Sequence, residues 1–376
     1  MTGIYIVPNE NIVSRESGIG SKIRKQIELF NINGLNCTML VQRNLRYGLP
    51  KLIGRLLYVL PFSNIAPNWK YESCMDHADF LYFRRPELVN YAAVRFMKIC
   101  KTKNPNIKIF VEIPTYPYDS EFKGIQKLNL IRDKMNRRHF YKYVDCVFVI
   151  DPMNMIRSTY YNAEVVHFIN GYDVMHCSKI NFFNNDDTVD LTCVGMFNFW
   201  HGYERLFYGL KNYLDNGGHR DVKIHMVGEG VELDRYKHLV SQLHIENYVT
   251  FYGKLFGNDL DKIYSITDIA VGCLGCYKKD ITIISDLKTR EYMAKGLPVL
   301  SGCSVDFLYK KKYDYFLEIE NNSNPVDFSL IERFYNFLRT TPAEYHDQIV
   351  SFSHNAFDVS NTMIPIVEKI KGEINA

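Results

Sequence analysis

The chain has almost no tryptophan, no long apolar run and no excess of charge of either sign. Only 2 Trp occur in 376 residues. No stretch reaches the ~18 uninterrupted apolar residues of a membrane-crossing helix, so no span is expected. The start, Met1 to Pro8, lacks a basic segment followed by a long apolar core, so no export signal is expected. The 45 Lys and Arg face 42 Asp and Glu, a formal charge of +3, which removes the general electrostatic case for binding nucleic acid. The 9 cysteines are odd in number and follow no disulfide framework, so they read as reduced thiols of a cytoplasmic protein. Cys273 and Cys276 have metal-type spacing, but no second pair completes a zinc site, and no metal is expected.

What is present suits a globular α/β protein. The length exceeds the size at which a single core stops growing, so two domains are expected. The 14% aromatic content supplies rings for stacking on sugars or bases, or reflects compositional bias; both readings stand. An apolar strand, Ile4–Val7, leads through the glycine loop Ser17-Gly18-Ile19-Gly20 into a helix over Ser21–Asn31, and a strand follows at Cys37–Val41. Further strands are expected at Phe80–Phe83, Lys108–Glu112, Cys146–Ile150 and Val165–Ile169, with helical periodicity over Glu87–Lys101 and Lys127–Tyr143. The polar stretch Asn181–Asp190 reads as a linker, after which the alternation restarts at Leu191. The expected domains are residues 1–182 and 190–354, with a terminal helix near 355–376 packing back on the first. Doubly wound α/β domains bind ligands outside the carboxyl ends of their strands, so the expected site lies in a cleft that two such domains face.

The most informative stretch is Ser285-Asp-Leu-Lys-Thr-Arg-Glu-Tyr-Met-Ala-Lys-Gly-Leu-Pro-Val-Leu-Ser301. A polar start, then Gly296 and Pro298, mark a short helix followed by a strand. The free N–H groups of such a helix start favour phosphate, and Lys288 and Arg290 add charge. Upstream come the strand and glycine turn Ile224–Gly230, the strand Val249–Gly253 and the helix end Tyr264–Asp268.

These motifs, in this order, and the Glu291–Val299 run resemble the donor domain of family 4 glycosyltransferases, and the longer Ser285–Val299 run resembles their capsule and O-antigen branch. The resemblance implies a GT-B fold of two Rossmann-like domains and a retaining hexosyl transfer from a nucleoside-diphosphate sugar, UDP before GDP. It implies no cofactor and no metal, and as acceptor a hydroxyl on a lipid-linked surface glycan. It assigns Glu291 to the ribose hydroxyls and places Ser285, Leu287, Lys288, Arg290, Gly195, His201, Arg205, Gly228, Tyr252 and Lys254 around the donor. Two departures stand out. Ile283 occupies the place of an earlier glutamate that contacts the sugar, with Asp280 or Asp286 as substitutes. Met196 and His201 occupy the two basic positions that grip the diphosphate, so Lys288, Arg205 or Lys254 must supply that charge.

On the acceptor side, the loop Val111–Asp119 is stiffened by Pro114 and Pro117. Glu112 is the candidate base for the acceptor proton, or a salt-bridged structural carboxylate. Tyr116 and Tyr118 are candidate acceptor contacts, and Gly18 and Gly20 allow backbone approach to acceptor or diphosphate. The basic, amphipathic run Lys127–Arg138 is either a solvated helix face or a contact with anionic membrane. Two other functional classes share parts of this pattern. A nucleotide-sugar 2-epimerase has the same architecture, though Glu291–Pro298 argues against it. A non-catalytic sugar-nucleotide-binding partner subunit fits the lost glutamate and basic pair.

Overall fold

The computed structural model describes residues 1–8, 18–42, 69–86, 88–119, 127–183, 188–342 and 344–375. The chain divides into two compact units, Met1–Gly171 with Val359–Ala376, and Tyr172–Asp358. Ser17, Glu87 and residues 184–187 of the expected linker lie outside the described residues.

The first unit is built on β1 (Gly3–Val7), β2 (Cys37–Val41), β3 (Phe80–Arg84), β4 (Lys108–Ile113), β5 (Cys146–Val149), β6 (Thr159–Tyr160) and β7 (Ala163–His167). They form one sheet in the order β2-β1-β3-β4-β5-β7-β6, parallel except for the β6–β7 hairpin. Strands β1 and β3 are buried along their whole length, as parallel strands covered on both faces must be. Their side chains alternate between two cores. Ile4, Ile6, Leu81, Phe83, Ile109 and Val111 enter one; Tyr5, Val7, Phe80, Tyr82, Phe110 and Phe148 enter the other. Helix α1 (Gly18–Ile32) crosses from β1 to β2, while α2 (Tyr91–Lys103) and α3 (Lys127–Tyr141) cross the opposite way, from β3 to β4 and β4 to β5. Right-handed crossovers therefore put α1 on one face and α2 beside α3 on the other.

The second unit carries β8 (Thr188–Met196), α4 (Glu204–Asp215), β9 (Asp221–Glu229), α5 (Leu233–Gln242), β10 (Val249–Gly253), α6 (Asn258–Ser265) and β11 (Ile269–Val271). It continues with β12 (Ile283–Ile284), α7 (Leu287–Ala294), β13 (Val299–Ser301), β14 (Ser304–Val305), β15 (Phe316–Glu318), α8 (Phe328–Thr340) and α9 (Tyr345–Phe357). The sheet runs β10-β9-β8-β11-β13-β15 and is parallel, with β12 and β14 paired separately. The last helices, α10 (Val359–Thr362) and α11 (Ile364–Asn375), belong to the first unit, where Val359, Met363, Ile366 and Ile370 enter the α1-side core. The first boundary falls before the expected residue 182. Tyr172 N–H donates to Phe357 O at 3.0 Å and Phe182 stacks on His346 at 3.6 Å, which ties residues 172–183 to the second unit.

Glu112, at the end of β4, is fully buried on the α1 side of its sheet. Lys22 and Arg84 approach Oε1 at 3.1 Å, and Gln26 and Tyr82 donate to Oε2 at 2.8 and 2.7 Å. Burial alone would raise its pKa; the two cations and two hydrogen bonds outweigh it and hold the carboxyl at about 2. A base must reach substrate and accept a proton near neutral pH, and this carboxylate does neither. Glu112 is therefore corrected from catalytic base to the anion that locks α1 onto β3 and β4. Its stabilisation is complete above the ordinary carboxylate pKa of about 4.3 and is lost as pH falls towards 2. Glu112→Gln is expected to cost on the order of 3 kcal/mol at pH 7 and to flatten the acid arm of the stability profile between about pH 4.5 and 2. Denaturant melts of both proteins across that range check it.

Candidate functional site

In the second unit the strand order reverses between β8 and β11, so the crevice beyond their carboxyl ends is where a doubly wound sheet binds ligand. Three backbone segments shape it: the turn after β8, the Gly272–Gly275 loop after β11, and the start of α7.

The turn after β8 depends on glycine. Gly195 and Gly228 have φ of +147° and +136°, and a Cβ on Gly228 would lie 1.9 Å from Gly195 O. Strands β8 and β9 thus end in backbone contact, a place with no room for a side chain. Phe199–His201 then forms a single 3-10 turn, with Asn198 N–H donating to His201 Nδ1 at 3.1 Å. Burial, followed by the positive charges of Lys288 and Lys279, pushes the His201 pKa well below its ordinary value. The neutral ring accepts at Nδ1 and so carries its proton on Nε2. Its Cε1 is the nearest group to a Cβ built on Gly195, at 3.8 Å. His201 is thus a hydrogen-bond donor beside the glycine turn rather than a cation.

Helix α7 starts at Leu287, after Asp286 caps it by accepting from Thr289 N–H at 3.3 Å and Thr289 Oγ1 at 2.9 Å. The N–H groups of Leu287 and Lys288 have no intrahelical acceptor, as in any first turn. Lys288 Nζ donates to Tyr203 OH at 3.1 Å and stands 5.3 Å from the centre of that ring. Glu291, one turn on and on the same helix face, accepts from Tyr264 OH at Oε1, 3.0 Å away. Burial raises the Glu291 pKa, offset in part by the Tyr264 hydrogen bond and by Lys295. One helix face therefore carries N–H groups and an ammonium that can meet an anion, then a carboxylate that can accept from hydroxyls.

The structure brings Gly195, His201, Leu287, Lys288 and Glu291 together and gives several other expected residues different work. Arg290 lies two residues from Lys288, on the opposite face of α7, and is fully buried. It donates to Asp286 O at 2.9 Å, Ser285 Oγ at 3.2 Å and Asp306 at 2.5 Å, and the Ser285 hydroxyl is itself committed to Asp306 at 2.5 Å. Arg205 donates to Leu274 O and Asn324 O at 2.6 Å, Glu320 O at 3.0 Å and Asn322 Oδ1 at 3.2 Å. Both guanidiniums staple loops of the second unit. Lys254 pairs with Glu229 on the surface at 2.9 Å. Tyr252 OH meets His225 Nδ1 at 2.9 Å, and His225 Nε2 meets Asp190 at 2.6 Å, so this tyrosine ends a polar chain across β8, β9 and β10. Gly228 serves strand packing.

In the first unit, Gly18 and Gly20 are not a loop: they open α1, and a Cβ on Gly18 meets nothing within 4 Å. Tyr118 is buried between Arg85 and Arg137, whose guanidiniums lie 3.8 and 4.5 Å from its ring, so it is corrected from acceptor contact to core. Tyr116 is half-buried against Tyr118 and Tyr160. Three residues that the sequence reading left out matter: Tyr264, Tyr203 and Lys279. Tyr264 sits inside a segment whose pattern was noticed, but nothing in a lone tyrosine announces that its hydroxyl reaches Glu291. Arg205→Met is expected to cost about 3 kcal/mol by orphaning buried carbonyls while changing nucleotide affinity less than about threefold. Denaturation and calorimetry on one preparation check both halves.

Residues 178–276 match the family model described as glycosyl transferases group 1. No curated protein matches the sequence. Among solved structures, a sucrose-phosphate synthase from Thermosynechococcus elongatus superposes with TM-score 0.69 at 13% identity, covering 99% of each chain. Anabaena HepE in complex with UDP and glucose gives 0.65 at 12%, covering 99% of this chain and 100% of that one. The lipopolysaccharide outer core galactosyltransferase WaaB, in its apo form, gives 0.62 at 14%, covering 100% and 99%. The chain thus has the GT-B fold of two Rossmann-like units, and a group 1 glycosyl transferase signature runs through β8 to β11 of the second.

Proposed function

We propose that this protein transfers a hexose-type sugar from a nucleoside-diphosphate sugar, UDP before GDP, to a hydroxyl of a growing, lipid-linked surface glycan, with retention of configuration. The observation that carries the reading is the shared α7 face of Lys288 and Glu291 beyond the carboxyl ends of β8 and β11. Glu291 Oε2 accepts from no other side chain among the described residues, so the carboxylate can hold both hydroxyls of a ribose. The diphosphate then meets the Leu287 and Lys288 N–H groups, the Lys288 ammonium and His201 Nε2–H. These donors stabilise the charge that develops on the leaving diphosphate, so the reaction needs no cofactor. The preference for uridine rests on the UDP-bound HepE structures, at low identity.

Calorimetry with UDP, GDP and ADP on wild type and Glu291→Ala tests the assignment. UDP is expected to bind and to weaken about 10- to 100-fold in the variant, the worth of one or two charge-assisted hydrogen bonds. Binding indifferent to Glu291 overturns the site. Tight UDP binding without hydrolysis or transfer of any UDP-sugar would favour the partner-subunit reading instead.

The acceptor part of the proposal draws on the outer face of α2 and α3. Half of the basic run turns inward, since Arg132 and Arg137 are buried and Arg137 pairs with Asp119 and Asp133. The outward half presents Lys127, Lys134 and Arg138 around Ile131 and Met135, which are 56% and 47% exposed. The adjacent α2 adds exposed Tyr91, Arg95 and Lys98. Cations ringing exposed apolar side chains suit an anionic lipid surface, the cytoplasmic leaflet where a lipid-linked acceptor is met. No helix among the described residues is long and apolar enough to cross a membrane. Sedimentation is expected with phosphatidylglycerol-containing vesicles but not with phosphatidylcholine alone. Ile131→Ser with Met135→Ser should reduce it several-fold, and equal behaviour with both lipids would refute the contact.

A further inference from the structure

The spacing of Cys273 and Cys276 singles out one pair of thiols, and the fold brings a third to it. Cys276 opens the 3-10 turn Cys276–Lys279 that follows β11, and Cys303 lies just past the end of β13. Their sulfurs are 2.8 Å apart, although 27 residues separate them along the chain. Cys273 is hydrogen-bonded to Cys276 as well. All three thiols are buried, and none is in a disulfide.

The backbone fixes this meeting. Strands β11 and β13 are parallel neighbours, and their pairing runs on past the strand ends. Gly272 N–H donates to Leu300 O and Gly302 N–H to Cys273 O, both at 2.8 Å. A Cβ on Gly302 would lie 2.8 Å from Leu274 Cα, so the two loops leave the sheet in backbone contact. Ser301 Oγ accepts from Cys303 N–H at 3.3 Å and donates to Cys303 O at 2.9 Å, which holds the Cys303 turn. A disulfide is about 2.05 Å long, so closing one between Cys276 and Cys303 takes a sulfur movement of under about 1 Å. Cys273 is pushed well above the ordinary thiol pKa by its hydrogen bond to Cys276 and by burial. Cys273 in turn lowers Cys276, but the Cys303 contact and burial outweigh this and raise it well above the ordinary value too. At neutral pH Cys273 and Cys276 are therefore uncharged, and they pack as small apolar groups until an oxidant reaches them.

We propose that Cys276 and Cys303 are a redox modification site, joined by a reversible disulfide in the presence of hydrogen peroxide and freed again by a dithiol. The Cys276 sulfur attacks one peroxide oxygen and the O–O bond breaks. Hydroxide leaves, takes up the thiol proton as water, and Cys276 is left as a sulfenic acid. The Cys303 sulfur then attacks Cys276 Sγ, the S–O bond breaks, and a second water leaves with the Cys303 proton. The two sulfurs give up two electrons, and one peroxide is reduced to two waters. Contact with Cys303 resolves the sulfenic acid before it oxidises further. The bond ties the loop after β11, one of the segments that shape the crevice, to the loop after β13. It forms whether or not that crevice takes a nucleotide sugar.

Peptide mapping of the full chain tests this. The folded protein, reduced with dithiothreitol and desalted, is exposed to millimolar hydrogen peroxide. Free thiols are then alkylated under denaturing conditions, and the digest is read by mass spectrometry without reductant. A linked Cys276–Cys303 peptide pair is expected, lost on adding dithiothreitol. The oxidised protein is also expected to melt about 5 °C higher, as a bridge closing a loop of this length should make it. Cys276→Ala and Cys303→Ala should each abolish that rise, while Cys74→Ser, at an exposed cysteine of the first unit, keeps it. The wild-type peptide map decides even where a variant folds poorly. Full alkylation of Cys276 and Cys303 after peroxide, a Cys273–Cys276 link in their place, or a Cys276–Cys303 link that leaves the melting temperature unchanged or lower overturns the proposal. Each of these leaves the Cys276–Cys303 contact as packing alone.

Discussion

Where β8 and β9 end, two backbones touch with no side chain between them, Gly228 against Gly195. Everything in the candidate site is arranged around that contact. Because the strands finish together, the chain after β8 folds at once into the turn that carries His201. Because Gly202 then meets Gly275, the loop after β11 is drawn onto the same turn. The start of α7 completes the group, its cap supplied by Asp286 so that the next N–H groups stay open. Close approach of main chain to main chain is thus what converts a strand-order reversal into a shaped crevice.

The structure also shows how many charged residues do architectural work. Glu112, Arg205 and Arg290 are each buried and each satisfied by several partners. Asp133 belongs with them, holding Arg85 at 2.9 Å and Val89 N–H at 2.6 Å, with Arg137 as a third partner. A buried charge with its hydrogen-bonding capacity filled is rigid, and removing its partner leaves a group that water cannot reach. In the proposed donor site the work falls to Lys288 and to Glu291, whose Oε2 accepts from no side chain among the described residues.

Much of the fold was legible because its signals are local. Short continuous apolar runs mark β1, β4 and β5, and the Gly296–Pro298 stop marks the end of α7. The placement of Lys288 and Glu291 on one face follows from helical spacing. What was not legible depends on which way a side chain turns among distant partners. Arg290 and Lys288 look alike in a row of letters, yet two residues of helix set them on opposite faces. Arg205 finds three of its acceptors more than a hundred residues downstream, in a loop with no motif of its own. Glu112 sits at a strand end in a proline-stiffened loop, as a catalytic carboxylate would; only Lys22, Gln26, Tyr82 and Arg84 converging on it reveal the other role. Helices α8 and α9 carry buried apolar positions at helical spacing but no motif of their own.

The return of the C-terminal residues to the first unit has a consequence for the order in which the protein is made. Residues 172–358 form the second unit as one uninterrupted segment, so it has everything it needs before Val359 is added. The first unit, though its larger part is made earlier, lacks Val359, Met363, Ile366 and Ile370 from one of its two cores until those residues have been made. Folding along the nascent chain therefore finishes out of sequence, with the later-made half complete while one apolar layer of the earlier-made half still waits to be covered.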